Sequence, residues 1–418
     1  MINVAVLGYG VVGSGVVEII RKNSLSISKK AGKQITVKRI LDIRDFPDSP
    51  DKDILTKNAD DIFNDPDINV VVETIGGITA AYEFTKRALT QGKHVVTSNK
   101  ELVATHGPEL LKLARENRVN YLFEASVGGG IPIIRPLNRC LAANEIRSIV
   151  GILNGTTNYI LTQMKKEGKE FDVALKEAQK NGYAEADPTA DIEGHDACRK
   201  IAILSSIAYD EFVDYKKIYT EGITKITPSD IMYAEKMNST IKLIAMSEKL
   251  NGMIETRVSP VIIENTHPLA GVEDVFNAIL VNGDAIGEAM FYGRGAGKLP
   301  TASAVVADVI EIVKHWGSFG GYNWNVKEEN NVIDIMETES KFFVRVKVND
   351  KDKGTNEIEK LYQKVEWLKP LEAANGEELV FITECILEKD AKDMLKKVSQ
   401  LDCVEEVLST IRVFDYRP

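Results

Sequence analysis

A chain of 418 residues is too long for one compact core and argues for two to three domains, and its 44% apolar and 27% charged composition is that of an ordinary globular protein. A formal net charge of −10, with no basic run or aromatic-studded basic stripe, argues against binding to nucleic acid or to an anionic membrane surface. The four cysteines show neither Cys-x-x-Cys nor zinc spacing, "MINVAVLGYG" has no signal-peptide pattern, and no apolar run is long enough to span a bilayer; a reduced, cytoplasmic location is expected.

The chain opens on a β-branched run, Ile2 to Leu7, followed by Gly8, Gly10 and Gly13 in Gly-x-Gly-x-x-Gly spacing. Val16, Val17, Ile19 and Ile20 then follow with helical character. A strand turning on glycine into a helix is the context in which this spacing binds a dinucleotide. The first glycine makes the tight turn, the second lets the backbone approach the pyrophosphate, and the third lets helix pack on strand. The helix N-terminus, with Val11 and Val12, faces the phosphates.

Further strands are expected at 37–41, 70–74, 94–97 and 120–123, with helices over 80–92 and 108–117 between them. Strand–helix alternation predicts a doubly wound parallel sheet whose ligands lie beyond the carboxyl ends of the strands. Three segments fall at that edge: "LDIRD", "ETIGG" and "SNKELVA". In the first, Asp42 suits a ribose 2′-hydroxyl and so NAD, whereas Arg44 suits the 2′-phosphate of NADP, and the sequence leaves both open. In the last, Lys100 stands just past a buried strand's end, where its ammonium can point into a cleft.

"EASVGGGIPIIRPL", residues 124–137, closes the last of these strands and passes through Pro132 and Pro136 into a new element, which puts a domain boundary near residue 130. "GILNGTTNYIL", residues 151–161, reads as strand end, polar turn and helix start; Asn154, Thr156 and Thr157 suit a ligand or a helix cap equally.

The densest chemistry lies in "EADPTADIEGHDACRK", residues 185–200, with five carboxylates and a histidine before Arg-Lys. On a wheel of about 100° per residue, Ile207, Leu204 and Ile203 lie within about 60° of Lys200, and Asp196 at about −40°. Lys200 and Asp196 therefore sit inside the apolar sector, while Arg199 and Tyr209 point well away. A desolvated lysine loses preference for its ammonium form and drops from about 10.4 toward a range useful for proton transfer. The bland alternative is an inert buried ion pair. Glu185 and Asp187 flank a turn before Pro188, and Asp191 suits a helix cap; together the carboxylates suit a small cationic substrate. With His195 the only imidazole nearby, metal catalysis is not expected.

Beyond this, "VFNAILVNGDAIGEAMFYGRGAGKLPTASAVVADVIEI" reads as two strands around "NGDAIG", a loop with Gly295 and Gly297, and a helix with Pro300 in its first turn. After "GGYNWNVKEENNV" the pattern becomes strand, helix, strand, strand, helix, strand, the order of a small ferredoxin-like module whose edge strands suit pairing with a second copy.

Five of these stretches, "TSNKELVA", "FEASVGGGIPI", "NGTTNYIL", "GYAEADPTADIEGHDACRK" and "GAGKLPTASAV", resemble homoserine dehydrogenase blocks in family order, and the resemblance runs over nearly the whole chain. It implies an α/β protein with a dinucleotide-binding domain at 1–130 and an α+β dimerisation and catalytic domain at 131–335, its last helix packing back on the first domain. A βαββαβ ACT-type regulatory domain at 340–418 completes the expectation.

The implied activity is reversible NAD(P)H-dependent reduction of L-aspartate 4-semialdehyde to L-homoserine, a step toward threonine, methionine and isoleucine, in a homodimer or homotetramer. The resemblance makes Lys200 the catalytic lysine and Lys100 a second lysine at the cofactor–substrate junction. Glu185, Asp191 and Asp196 hold homoserine, with Gly182 beside the pocket and Glu185 meeting the ammonium. Thr74 and Gly297 approach the nicotinamide half of NADP or NAD. Glu124, Val127, Gly129 and Ile131 match a structural Na⁺ site built mainly of backbone carbonyls. The tail departs from the ACT pattern: its first loop reads "NDKDKGTNEIEK", with Gly354 but no proline, so threonine as effector stays an open expectation.

Overall fold

The N-terminal apolar run forms strand β1 (Ile2–Leu7), and β2 (Ile35–Leu41), β3 (Leu55–Thr56), β4 (Ile68–Glu73), β5 (His94–Thr97) and β6 (Tyr121–Leu122) join it in a parallel sheet of order β3-β2-β1-β4-β5-β6. β1 and β4 sit at its centre, and Val4, Ala5, Val6, Val70, Val71 and Val72 are all fully buried. Helices on both faces explain why these strands read as unbroken apolar runs rather than as alternation. The strand order reverses between β1 and β4, where doubly wound sheets open their ligand crevice.

One helix differs from expectation. Residues expected to turn helical only at Pro108 form a longer helix, Lys100–Glu116, with Pro108 in its interior. Asn99 starts it early, because its side chain accepts the Leu102 N–H at 3.0 Å. Gly107 is required there: a Cβ would lie 2.3 Å from the Trp324 ring.

The computed structural model describes residues 1–362, 364–372 and 377–415. They fall into two units, one of Met1–Arg147, Arg199–Lys216 and Asn277–Glu329, the other of Ser148–Cys198, Lys217–Phe276 and Asn330–Pro418. In the second, β7 (Ile146–Ile152) pairs antiparallel with β9 (Ser239–Leu250), which pairs antiparallel with β10 (Met253–Glu264); the short β8 (Tyr219–Thr220) runs parallel to β10. Asn251 and Gly252, both at positive φ, make the tight β9–β10 turn. In the first unit, β11 (Phe276–Gly283) and β12 (Gly287–Arg294) precede the helix Lys298–Lys314, which packs on the helix Val11–Lys22. The close approach falls at Gly15, where a Cβ would lie 3.0 Å from Ala302 Cβ.

The tail forms β13 (Glu339–Val348), the helix Lys351–Tyr362, β14 (Val365–Leu368), β15 (Glu378–Thr383), β16 (Ile386–Leu387), the helix Glu388–Val398 and β17 (Val404–Val413). Its strands lie in the order β17-β13-β15-β14. The edge expected to await a second copy is partly taken within the chain: β17 pairs parallel with β10 at Arg412 and Val413. Arg412 reinforces the join, donating to Glu388 at 2.7 and 2.8 Å and to Glu221 at 2.6 Å. Gly354 lies inside a helix rather than in a loop, packed where a Cβ would meet Leu379 at 2.9 Å. Among the described residues no helix is long and apolar enough to cross a membrane.

Candidate active site

The glycine turn is built as the spacing requires. Gly8 stands at φ +91°, and a Cβ on Gly13 would lie 1.9 Å from the Gly8 carbonyl. At Gly10 the nearest atom to such a Cβ is Arg44 Nη2 at 3.8 Å, so this is the open side of the turn. Gly10 caps the helix Val11–Lys22 without a side-chain bond. The first-turn N–H groups, those of Val11 and Val12 among them, are therefore available to an anion such as a pyrophosphate. Thr74 braces the turn: its hydroxyl donates to the carbonyls of Leu7 and Gly8 at 2.9 and 3.0 Å.

The sequence posed Asp42 and Arg44 as alternatives, but the structure binds them to each other. Arg44 donates from Nε to Asp42 Oδ1 at 3.0 Å and from Nη2 to Oδ2 at 2.8 Å, and the backbone N–H groups of Arg44 and Tyr9 add 3.0 and 2.7 Å contacts. The guanidinium holds the Asp42 carboxyl well below the usual carboxylate range. Asp42 is buried, whereas the Arg44 side chain keeps 58% of its surface in solvent and lies over the Phe46 ring. Both line a cavity of about 380 Å³ with Lys52 and Lys57. Asp45 lines it as well and pairs with Lys57 at 2.7 Å, so the cations this end offers are Lys52 and the exposed Arg44.

Lys100 is the first residue of the helix Lys100–Glu116, and Lys200 lies in the helix His195–Tyr209 with only 8% of its surface exposed. The wheel placed Arg199 and Tyr209 away from the apolar sector, yet Tyr209 is buried along with Ile201, Ala202, Ile203, Leu204 and Ile207. The helix is buried on nearly every face, as a core helix is. Ser205 and Ser206 tolerate this by donating to the carbonyls of Ile201 and Ala202 at 2.7 and 2.8 Å. Arg199, the residue before Lys200, makes a 3.0 Å ion pair with Glu101, the residue after Lys100. That pair ties together the two helices carrying the lysines, and sequence reasoning missed it.

In the second unit, Asn154 caps its helix and also reaches two carboxylates. Its Oδ1 accepts the Thr157 N–H at 2.8 Å, and its Nδ2 donates to Asp191 at 2.7 Å and to Asp196 at 2.8 Å. The Asp191 side chain is gathered with Asp196 around one amide. Asp196, four residues before Lys200 on the same helix, is 2% exposed. Gly182 stands at φ +75° in a turn held by Thr156, whose hydroxyl donates to the Tyr183 carbonyl at 2.6 Å, and Glu185 is exposed at its end. Asp187 accepts from the Thr189 hydroxyl and N–H at 2.6 and 3.1 Å, a turn-forming role.

The glycine run carries a different arrangement. Glu124 is buried and its carboxylate accepts from the backbone N–H groups of Ile133, Ile134 and Arg135 at 2.6, 2.9 and 2.8 Å. Asp308 accepts the Glu124 N–H at 2.8 Å and pairs with the Arg135 guanidinium. The Glu124 side chain is thus occupied by the chain itself. Val127, Gly129 and Ile131 are buried, and among the described residues no hydrogen bond is made to their carbonyl oxygens. Such carbonyls suit a hard monovalent cation. No cluster of three His, Cys, Asp or Glu side chains able to hold a metal occurs among the described residues. Gly297 stands at φ +125° as cap of the helix Lys298–Lys314.

Residues 132–310 match the family model described as homoserine dehydrogenase, and residues 8–124 the one described as homoserine dehydrogenase, NAD binding domain. The homoserine dehydrogenase of Bacillus subtilis is 40% identical over 99% of this chain and 98% of its own length, and that of Neisseria gonorrhoeae 38% identical over the same shares. The crystal structure of a homoserine dehydrogenase from Thiobacillus denitrificans superposes with a TM-score of 0.92 at 36% identity, covering 99% of this chain and 98% of that one. A hyperthermophilic archaeal homoserine dehydrogenase in complex with NADPH gives 0.64 at 30% identity, covering 76% of this chain and 99% of its own.

Proposed function

The chain belongs to the homoserine dehydrogenase family of NAD(P)-dependent oxidoreductases, and from that premise we propose that it interconverts L-aspartate 4-semialdehyde and L-homoserine with Lys200 moving the proton on the substrate oxygen. When bound, the nicotinamide supplies the hydride that the aldehyde carbon gains and the alcohol returns. Lys200 gives its proton to the developing alkoxide in reduction and removes the hydroxyl proton in oxidation. The observation that carries this reading is the Arg199–Glu101 pair, which ties the Lys200 helix to the Lys100 helix at the residues next to both lysines.

Asp191 and Asp196, gathered on Asn154, and Glu185 beside the Gly182 turn supply negative charge for the substrate ammonium. Glu185→Gln is expected to raise the KM for homoserine about tenfold or more with little change in kcat, the loss of one charge-assisted hydrogen bond. Steady-state kinetics across homoserine concentration checks it, and an unchanged KM counts against ammonium capture.

NADP is the better cofactor on this reading. Asp42 is committed to Arg44, so it is a poor acceptor for a ribose 2′-hydroxyl, while Lys52 and the solvent-facing guanidinium of Arg44 favour a 2′-phosphate. The archaeal relative's complex with NADPH is in keeping with this. The test is initial rates of nicotinamide reduction with L-homoserine, NAD and NADP side by side. Arg44→Ser should lower kcat/KM with NADP by about tenfold or more and leave NAD unharmed.

Carbonyls of Val127, Gly129 and Ile131, with that of Glu124, would hold a structural Na⁺. The domain limits we adopt are 1–130, 131–335 and 340–418, with the last an ACT-type module and threonine its candidate effector. That both family matches end by residue 310 supports the tail as an addition. A cytoplasmic homodimer or homotetramer completes the proposal, supported by Met290 and Tyr292, which are exposed on β12.

A further inference from the structure

The parallel register sets Glu73, the last residue of β4, beside Thr97, the last of β5. Glu73 is fully buried, and its two oxygens hold two loops at once. Oε1 accepts the Ile75 N–H at 2.6 Å, and Oε2 accepts from the Thr97 hydroxyl. Thr97 Oγ1 in turn accepts the Asn99 N–H at 2.9 Å. Asn99 closes the circuit: its Nδ2 donates to the carbonyls of Gly77 at 2.7 Å and Ile75 at 3.3 Å, and its Oδ1 caps the helix that begins at Lys100.

We propose that ionised Glu73 is a positioning residue, a clasp joining the Thr74–Gly77 loop to the Thr97–Lys100 segment and so setting Lys100 against the nicotinamide half of the cofactor. The inference rests on the reading of these two segments as flanks of that half. An ionised carboxylate accepts from both Ile75 and Thr97, which leaves the Thr97 oxygen free for Asn99. A protonated carboxyl has a hydrogen to place, and the Thr97 oxygen is the acceptor within reach. The Thr97 hydroxyl then loses its own acceptor and the Asn99 N–H meets a competitor, so the clasp loosens. An unmet buried donor is costly, about 1–3 kcal/mol.

Burial raises the Glu73 carboxyl to about 7, against the pull of the Thr97 hydroxyl and the Ile75 N–H. The other titratable group coupled to it is Tyr121 on β6, whose hydroxyl has no hydrogen-bond partner among the described residues. Burial holds that phenol well above its ordinary value, so it stays neutral throughout.

The test is the affinity for NADPH, read by its fluorescence between pH 6 and 8.5 without substrate, together with amide exchange at Ile75 and Asn99 in the bare protein. In the wild type both should tighten severalfold as pH rises through about 7. Glu73→Gln, which cannot ionise, should be flat across the range. Thr97→Ser should keep the transition, and Thr97→Val, lacking the donor that favours the anion, should move it to higher pH. A transition of unchanged position and size in Glu73→Gln or Thr97→Val overturns the proposal. Absence of NADPH binding at every pH would strike the cofactor reading instead, and amide exchange would still judge the clasp. Should Glu73→Gln not fold, infrared spectra of wild type and the Thr97 variants serve: a buried carboxylic acid band must fade near neutral pH and shift in Thr97→Val alone. Burial raises the Asp308 carboxyl as well, so a second acid band is to be told apart, and only the Glu73 band should follow Thr97.

Discussion

Lys200→Ala is expected to retain cofactor binding and to lose homoserine oxidation by about 10³-fold in kcat, within the range of general acid–base contributions. Lys200→Arg should be almost as poor. Arginine keeps the positive charge and much of the length, but its guanidinium does not surrender a proton in the working range and cannot act as the base. That pair of variants separates proton transfer from simple charge. If Lys200 were only the cationic half of a buried structural pair, arginine would restore most of the rate and alanine would damage stability above all. The measurements are kcat and KM for homoserine, NADPH binding by fluorescence, and the thermal midpoint of each variant. Near-normal turnover in Lys200→Ala would refute the assigned role.

Much of the fold was legible because its periods are short-range. The β-branched runs at Ile2–Leu7 and Ile68–Glu73, and the glycine spacing at Gly8, Gly10 and Gly13, carry their instructions in adjacent residues. The order of the tail was readable for the same reason. What escaped was decided by partners far along the chain. The helix expected at Pro108 starts eight residues earlier because Asn99 caps it, and Gly107 is needed because Trp324, over two hundred residues on, fills the space of a side chain. The wheel for the helix His195–Tyr209 picked the sector holding Lys200, but a helix covered on nearly all sides has no single apolar face to find.

The site was legible in residue type and less so in role. Asp42 and Arg44 looked like rivals because sequence shows two charges near one strand end and not the fork that joins them. Asn154 looked evenly divided between cap and ligand, and it does the work of a cap with one end of its amide and gathers Asp191 and Asp196 with the other. A signal for Arg199 and Glu101 was present: each stands directly beside a lysine singled out for chemistry, with opposite charge.

Glu124 gives the second large expected effect, on stability and through it on the glycine run. As a carboxylate it satisfies the N–H groups of Ile133, Ile134 and Arg135 while its own N–H is held by Asp308, which also meets the Arg135 guanidinium. Glu124→Ala removes the acceptor for three backbone donors and half the negative charge facing a partly buried arginine. Losses of that kind cost about 3–5 kcal/mol where one partner of a buried charged network is deleted. Glu124→Gln keeps one acceptor oxygen but turns the other end into a donor aimed at the Arg135 N–H, so it should recover only part, roughly 1–2 kcal/mol. Denaturation of the two variants beside the wild type, with and without added NaCl balanced by choline chloride, separates the side chain from the cation. If the carbonyls of Val127, Gly129 and Ile131 hold Na⁺, the wild type should gain stability from sodium specifically, and Glu124→Gln should keep a weakened form of that gain. A Glu124 carboxylate acting as direct ligand would predict its complete loss, and equal stability of Glu124→Ala and wild type would refute the account of the buried network.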